Sequence, residues 1–307
     1  MRRMGVTHSL KHLAGMAVFS AGVEEYIHEK TPAEFPRATT VGHFDVERRE
    51  EPRFDASSLL PLKFVEDLYD VTLNENETPT SYGKAGTLDE TIDAEPDETT
   101  VFVHGWLANS RAALGRMSML RYSLREVGYE GDVVGFTWDS EEVAHRWKLG
   151  RRISERNGPK LAQFIVDYHD KTGSNVRLLS NSLGARVVLE AVRSLHRSGV
   201  DDVVESVSMT GAAADSDSVA LDGRYGEALD EAVGETHNYW IEHDGILNQQ
   251  YRLIEFSRAL GGKGAEGETP RNYHDHQVSY VPDHYSFYRP GKGCMDQVVD
   301  DWGGSEG

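Results

Sequence analysis

The stretch Val176-Arg177-Leu178-Leu179-Ser180-Asn181-Ser182-Leu183-Gly184-Ala185-Arg186-Val187-Val188-Leu189 decides the fold. Its opening residues form a short apolar run of strand character. Its closing residues place apolar side chains at helical spacing. Between the two lies Ser182. A serine at a strand-to-helix corner is pushed out of the sheet toward solvent. The residues two before and two after it must be small, because the backbone passes close to itself there. Ser180 and Gly184 meet that demand, so the spacing predicts a nucleophile elbow.

A serine nucleophile needs partners, and the chain offers them on either side. Upstream, Thr99-Thr100-Val101-Phe102-Val103-His104-Gly105-Trp106 is a β-rich run ending in His-Gly-aromatic. A glycine there lets the chain turn sharply enough to aim a backbone N–H at a developing oxyanion. Downstream, His237-Asn238-Tyr239-Trp240-Ile241 leads to Asp244, and Val278-Ser279-Tyr280-Val281 leads to His284. Serine, then aspartate, then histidine is the chain order of α/β-hydrolase triads. Asp215, after the preceding strand candidate, is the rival acid.

These residues resemble the α/β-hydrolase superfamily over about residues 99 to 290. The finer likeness is to uncharacterised α/β-hydrolases of halophilic archaea. It is carried by His104-Gly105-Trp106, Gly135-Phe136-Thr137-Trp138-Asp139-Ser140, Asn157-Gly158-Pro159-Lys160-Leu161-Ala162, Ser182-Leu183-Gly184-Ala185-Arg186-Val187-Val188, Leu221-Asp222-Gly223-Arg224-Tyr225-Gly226 and Pro282-Asp283-His284-Tyr285-Ser286. The resemblance implies a mainly parallel central sheet flanked by helices, and a structural role for His104. The elbow departs from many relatives at Ser180, where they carry glycine, and at Asn181, where they carry histidine.

At 307 residues the chain can bury one large core. A formal net charge of −19 from 51 acidic and 32 basic residues, with only 9 lysines beside 23 arginines, points to a protein adapted to high salt. The same field disfavours nucleic acid and anionic membranes as partners. A single cysteine, Cys294, precludes an intrachain disulfide.

Residues 1–40 read as an N-terminal extension and 41–307 as the hydrolase domain. Within the extension, Arg2-Arg3 and the weakly apolar Leu13–Val23 have the outline of a signal peptide over residues 1–23. The run is broken by two glycines and is shorter than the roughly 20 residues a bilayer span needs. An amphipathic helix and a cytoplasmic location are therefore favoured, with export the alternative.

From residue 99 on, strand and helix patterns alternate, as in a parallel sheet. Strands are expected at Thr100–Val103, Val133–Trp138, Val176–Leu179, Val204–Met209, His237–Ile241 and Val278–Val281, with a first strand at Val41–Val46. Helices are expected at Arg111–Val127, Lys160–Tyr168, Ala185–Leu195, Tyr225–Val233 and Ile246–Leu260. The short gap between the fourth and fifth of these core strands leaves room for a small cap or none. His274 and His276 are expected ahead of the last strand.

The expected function is a serine hydrolase of small-molecule carboxylic esters, with Ser182 as nucleophile, His284 as base and Asp244 as acid. The oxyanion donors are the N–H groups of Leu183 and Trp106. Trp106, Tyr239, Trp240, Tyr285 and Phe287 are candidates for an acyl pocket. No phosphate-cradling glycine loop appears, so no nucleotide cofactor is expected. His274-Asp275-His276 and Glu242-His243-Asp244 lack helical metal-ligand spacing, so no metal is expected either. A non-catalytic binding or assembly protein on the same fold is the alternative.

Overall fold

The computed structural model describes residues 34–48, 71–106, 108–140 and 147–303. The signal-like residues 1–23 lie outside them. The strands that form the main sheet are β1 (Arg37–Thr39), β4 (Gly83–Ala85), β5 (Thr99–Val103), β6 (Asp132–Thr137), β7 (Val176–Asn181), β8 (Val204–Thr210), β9 (Val233–Trp240) and β10 (Tyr273–Gln277). Across the sheet they run β10-β9-β8-β7-β5-β6-β1-β4, and every pairing is parallel except β1 with β4. A separate ribbon pairs β2 (Phe44–Arg48) with β3 (Val71–Glu75).

The helices are α1 (Leu88–Asp93), α2 (Ser110–Glu126), α3 (Trp147–Thr172), α4 (Gly184–Arg197), α5 (Gly226–Ala232), α6 (Arg252–Glu255), α7 (Leu260–Lys263) and α8 (Met295–Asp301). The apolar runs of β5 and β7 are explained by position. Both strands are central, and strand side chains alternate between two covered faces. Val101, Val103 and Leu178 join the core on one face, whereas Phe102 and Leu179 join that on the other. Helix α4 covers the first face with Val187, Val188, Ala191, Val192 and Leu195, each at most 1 % exposed. Full burial of such a side chain stabilises by about 1.5–3 kcal/mol, so this one helix face fixes the helix after the elbow.

Helix α3 runs 26 residues, far beyond the Lys160–Tyr168 segment expected. Pro159 lies inside it. Proline removes one helical N–H, a deficit the length of the flanking packing must offset. Lys160, fully buried, donates to Thr78 O at 2.6 Å and ion-pairs with Glu75 at 2.9 Å, tying the helix to the end of β3.

Three placements differ from expectation. The first sheet strand is Arg37–Thr39, reaching back into the segment assigned to the extension, while Phe44–Arg48 belongs to the ribbon. The last strand is Tyr273–Gln277, and Val278–Val281 is a turn with its two valines buried and Ser279 and Tyr280 exposed, closed by Val281 N–H donating to Val278 O at 2.9 Å. His274 and His276 therefore stand on the strand itself. The segment after Asp244 is a wide helical turn of π type at Ile246–Tyr251 followed by α6, and the chain turns before α7.

Candidate active site

Strand β7 ends at Asn181 and α4 begins at Gly184, so Ser182 sits in the corner between them. Its φ is +55°, the left-handed region where a non-glycine residue is strained. That conformation is held from several sides. Ser182 N–H donates to Thr210 O at 3.0 Å, and Ser182 O accepts from Ala185 N at 3.1 Å and Ala213 N at 3.0 Å. Two glycines make room. A Cβ on Gly184 would lie 2.4 Å from Val103 O, and one on Gly105 would lie 2.8 Å from Ser182 Cβ. Gly184, one of the small residues demanded by the sequence pattern, thus meets backbone at the end of the neighbouring strand β5, as the elbow requires.

The half-buried Ser182 presents Oγ to His284, whose Nε2 is 2.9 Å away. His284 Nδ1 is 2.6 Å from Asp244 Oδ2. Asp244 is 1 % exposed and His284 5 %. Asp244 is oriented by its other oxygen, which accepts from Ile246 N at 3.0 Å and Leu247 N at 2.9 Å. The wide turn at Ile246–Tyr251 thus begins on the carboxylate it holds.

Asp215 occupies a different position. Its carboxylate accepts from Tyr251 Oη at 2.7 Å and from the Ser257 hydroxyl, and it pairs with the buried Arg186 at 3.4 Å. Burial opposes its charge, but Ser257, Arg186 and Tyr251 outweigh it and hold the carboxyl below its ordinary value. It has no contact with His284 among the described residues.

Among the described residues, the backbone N–H groups of Leu183 and Trp106 donate to no protein acceptor. Leu183 precedes the first turn of α4, where unpaired N–H groups and the helix dipole favour negative charge. Arg116 on α2 holds the Trp106 loop by donating to Trp106 O at 3.1 Å, a role that the pattern of α2 does not announce. His104 is fully buried. Its Nδ1 is 2.8 Å from Gly105 O, its Nε2 faces Trp138 N at 3.4 Å, and its ring stacks on Trp138. Burial pushes its pKa down to about 3, so the ring is neutral and structural at ordinary pH.

The aromatic candidates divide. Tyr285 meets His284 edge-on, with ring centroids 5.5 Å apart, and Phe287 is buried close by at Gly211. Tyr239 is buried elsewhere, donating to Asp301 at 2.8 Å. Trp106 instead joins Trp147 and Tyr251 in a run of edge-to-face contacts at 5.4 and 5.5 Å. This run links the Trp106 loop to the segment beyond Asp244. Trp147 opens α3 and was missed by sequence reasoning, since nothing in its local pattern points across the molecule.

Residues 84–238 match a family described as α/β-hydrolases of unknown function, DUF900. The chain belongs to this family. The DUF900 segment contains Ser182 and Asp215 and ends before Asp244 and His284. Among curated proteins, none matches the sequence. Among solved structures, lipase B of Aspergillus fumigatus superposes with a TM-score of 0.38 at 12 % identity, over 59 % of this chain and 44 % of that one. The mature lipase BlEst2 of Bacillus licheniformis gives 0.38 at 16 %, over 67 % and 90 %. An extracellular α/β-hydrolase from a Paenibacillus species gives 0.32 at 14 %, over 66 % and 98 %. No helix among the described residues is long and apolar enough to cross a membrane.

Proposed function

We propose that this DUF900 protein is a cofactor-independent serine hydrolase of carboxylic esters. The observation that carries the reading is the line Ser182 Oγ–His284 Nε2–Nδ1–Asp244 Oδ2, at 2.9 and 2.6 Å. Serine is a weak nucleophile at neutral pH and needs a base within hydrogen-bond reach. His284 takes the Ser182 proton as Oγ attacks the ester carbonyl. Asp244 keeps the hydrogen on Nδ1, leaving the Nε2 lone pair toward serine, and stabilises the imidazolium that forms. Negative charge on the carbonyl oxygen is met by the N–H groups of Leu183 and Trp106. One such donor typically contributes about 3–4 kcal/mol to the transition state. The imidazolium returns its proton to the departing alkoxide, giving alcohol and a Ser182 ester. Water, deprotonated by His284, then releases the acid.

Asp215 serves the fold in this scheme, because its carboxylate is committed to Arg186 and Tyr251. Residues 41–307, together with strand β1, are the hydrolase domain. The net charge of −19 supports a protein that works in high salt.

The test is covalent labelling by a fluorophosphonate, read by intact mass, for wild type and Ser182→Ala. One adduct on wild type and none on the variant is expected, together with p-nitrophenyl ester turnover in about 2–3 M KCl, where screening is shortest. An unlabelled wild type would instead favour a binding protein on a hydrolase fold.

A further inference from the structure

Strands β9 and β10 pair in register, so that His274 faces His237 and His276 faces Tyr239. Alternate residues share a face, and these four therefore form a two-by-two block on one side of the sheet edge. Their rings stack: His237 on His274 and on His276 at 5.3 Å each, and Tyr239 on His276 at 4.7 Å. Helix α8 brings Asp301 to the same place. Asp301 Oδ2 is 3.5 Å from His276 Nε2 and accepts from Tyr239 Oη at 2.8 Å. His276 Nε2 is also 3.1 Å from His237 Nδ1. His237 is 5 % exposed, and its Nε2 has no hydrogen-bond partner. None of these groups touches Ser182, His284 or Asp244 among the described residues, and the hydrolytic scheme does not use them.

We infer that His237, His276 and Asp301 form a site for one divalent transition-metal ion of the zinc class, which clips helix α8 to β9 and β10, the last two strands at one edge of the sheet. One donor atom from each residue lies within 4.8 Å of the others. Zinc sits about 2.0–2.1 Å from nitrogen or oxygen donors in tetrahedral array, which places neighbouring donors about 3.3 Å apart. Two edges of the triangle, at 3.1 and 3.5 Å, already have that length. Two imidazole nitrogens select against calcium and magnesium, which take oxygen ligands.

The surroundings suit the ion. A ligating ring is normally held through its other nitrogen, and a ligating carboxylate by a hydrogen bond. Gln297, one turn before Asp301 on α8, lies 3.1 Å from His276 Nδ1, and Tyr239 supports Asp301. With the ion on Nε2, the hydrogen sits on Nδ1 and the Gln297 amide turns its oxygen to it. Three protein ligands leave a fourth position for water, the pattern of an exchangeable site. His274 is excluded from the triangle by its pairing with Glu235 at 2.8 Å. Linear spacing hides the set, because its members come from two strands and a distant helix. The neighbouring carboxylate of Asp275 is spent on Asn238, Tyr273 and the Ala265 N–H.

The experiment uses the full chain, treated with chelator and dialysed, then titrated with ZnCl2 by calorimetry and assayed for retained metal. One equivalent, a micromolar or tighter dissociation constant and an unfolding midpoint raised by several degrees are expected; MgCl2 should raise nothing. Asp301→Asn and His276→Gln should each weaken zinc at least tenfold and abolish the shift. His274→Gln should bind one equivalent like wild type. Asp301→Asn, isosteric at the helix end, decides the matter if His276→Gln folds poorly, as judged by its midpoint in chelator. Failure of wild type to retain an equivalent, unchanged binding by Asp301→Asn, or loss of binding in His274→Gln would each overturn the site. Ester turnover plays no part in the readout, so this outcome is independent of the proposed reaction.

Discussion

Replacing Asp244 and Asp215 one at a time by asparagine separates chemistry from stability. Asp244→Asn keeps an oxygen for the Ile246 and Leu247 N–H groups, which lie 3.0 and 2.9 Å from Oδ1. The fold should therefore survive. Toward His284 Nδ1, however, the amide presents a donor in place of the acceptor now 2.6 Å away. The ring hydrogen is driven to Nε2, facing serine, where it blocks general-base action. Loss of the correct tautomer costs about 10⁴ in kcat in serine triads, or about 5.4 kcal/mol of transition-state stabilisation. Asp215→Asn should do the reverse. Arg186, with a side chain 3 % exposed, loses the charge 3.4 Å away but keeps Ala213 O at 2.8 Å and Glu155 at 3.6 Å. Breaking a fully buried pair costs about 3–5 kcal/mol. Asp215 is 29 % exposed and Glu155 remains, so about 2 kcal/mol is expected. An unfolding entropy of about 2.1 cal/mol/K per residue converts this to a fall in Tm of about 3 °C. Ester kinetics and thermal scans on both variants give the answer. Collapse of turnover in Asp215→Asn with Asp244→Asn active would refute the assignment of the acid.

Two further outcomes are expected. His104 is buried with its pKa pushed down to about 3, so the folded chain stays neutral there while the unfolded chain takes up a proton below about 6.5. Stability present above pH 6.5 should therefore decline as pH falls toward 3, by up to about 1.4 kcal/mol per pH unit; urea midpoints for wild type and His104→Gln should differ in slope by one proton, and equal slopes would contradict it. With a net charge of −19, the unfolding midpoint should climb as KCl rises from about 0.1 to 3 M through shorter screening, and a flat or falling midpoint would end the high-salt reading.

The elbow was readable because its constraints are local. Ser180, Ser182 and Gly184 must satisfy one turn, and the backbone distances at Gly184 show why size matters there. The central strands were readable because burial on both faces makes them continuously apolar. The same logic misleads at the edge. Tyr273-His274-Asp275-His276-Gln277 pairs on one side only and carries polar residues, so the turn at Val278–Val281, with its apolar valines and tyrosine, looks more like a strand. Likewise β1 is a three-residue strand, fixed by its neighbours β6 and β4 rather than by its own pattern. The choice between Asp244 and Asp215 depends on which carboxylate reaches His284, and that is a matter of tertiary distance.

Ser182 and His284 stand 102 positions apart in the chain. Synthesis proceeds from the N-terminus at about 5–20 residues per second, so the serine leaves the ribosome roughly 5–20 s before its histidine. The elbow draws on Thr210 O and Ala213 N, so it is complete only after β8 has joined β7, and on the proposed reaction its hydroxyl is expected to stay inert until the segment bearing His284 has joined the sheet edge. On the proposed reaction, a nascent or truncated chain carries the nucleophile without its base, and reactivity is expected only once the segment bearing His284 has docked.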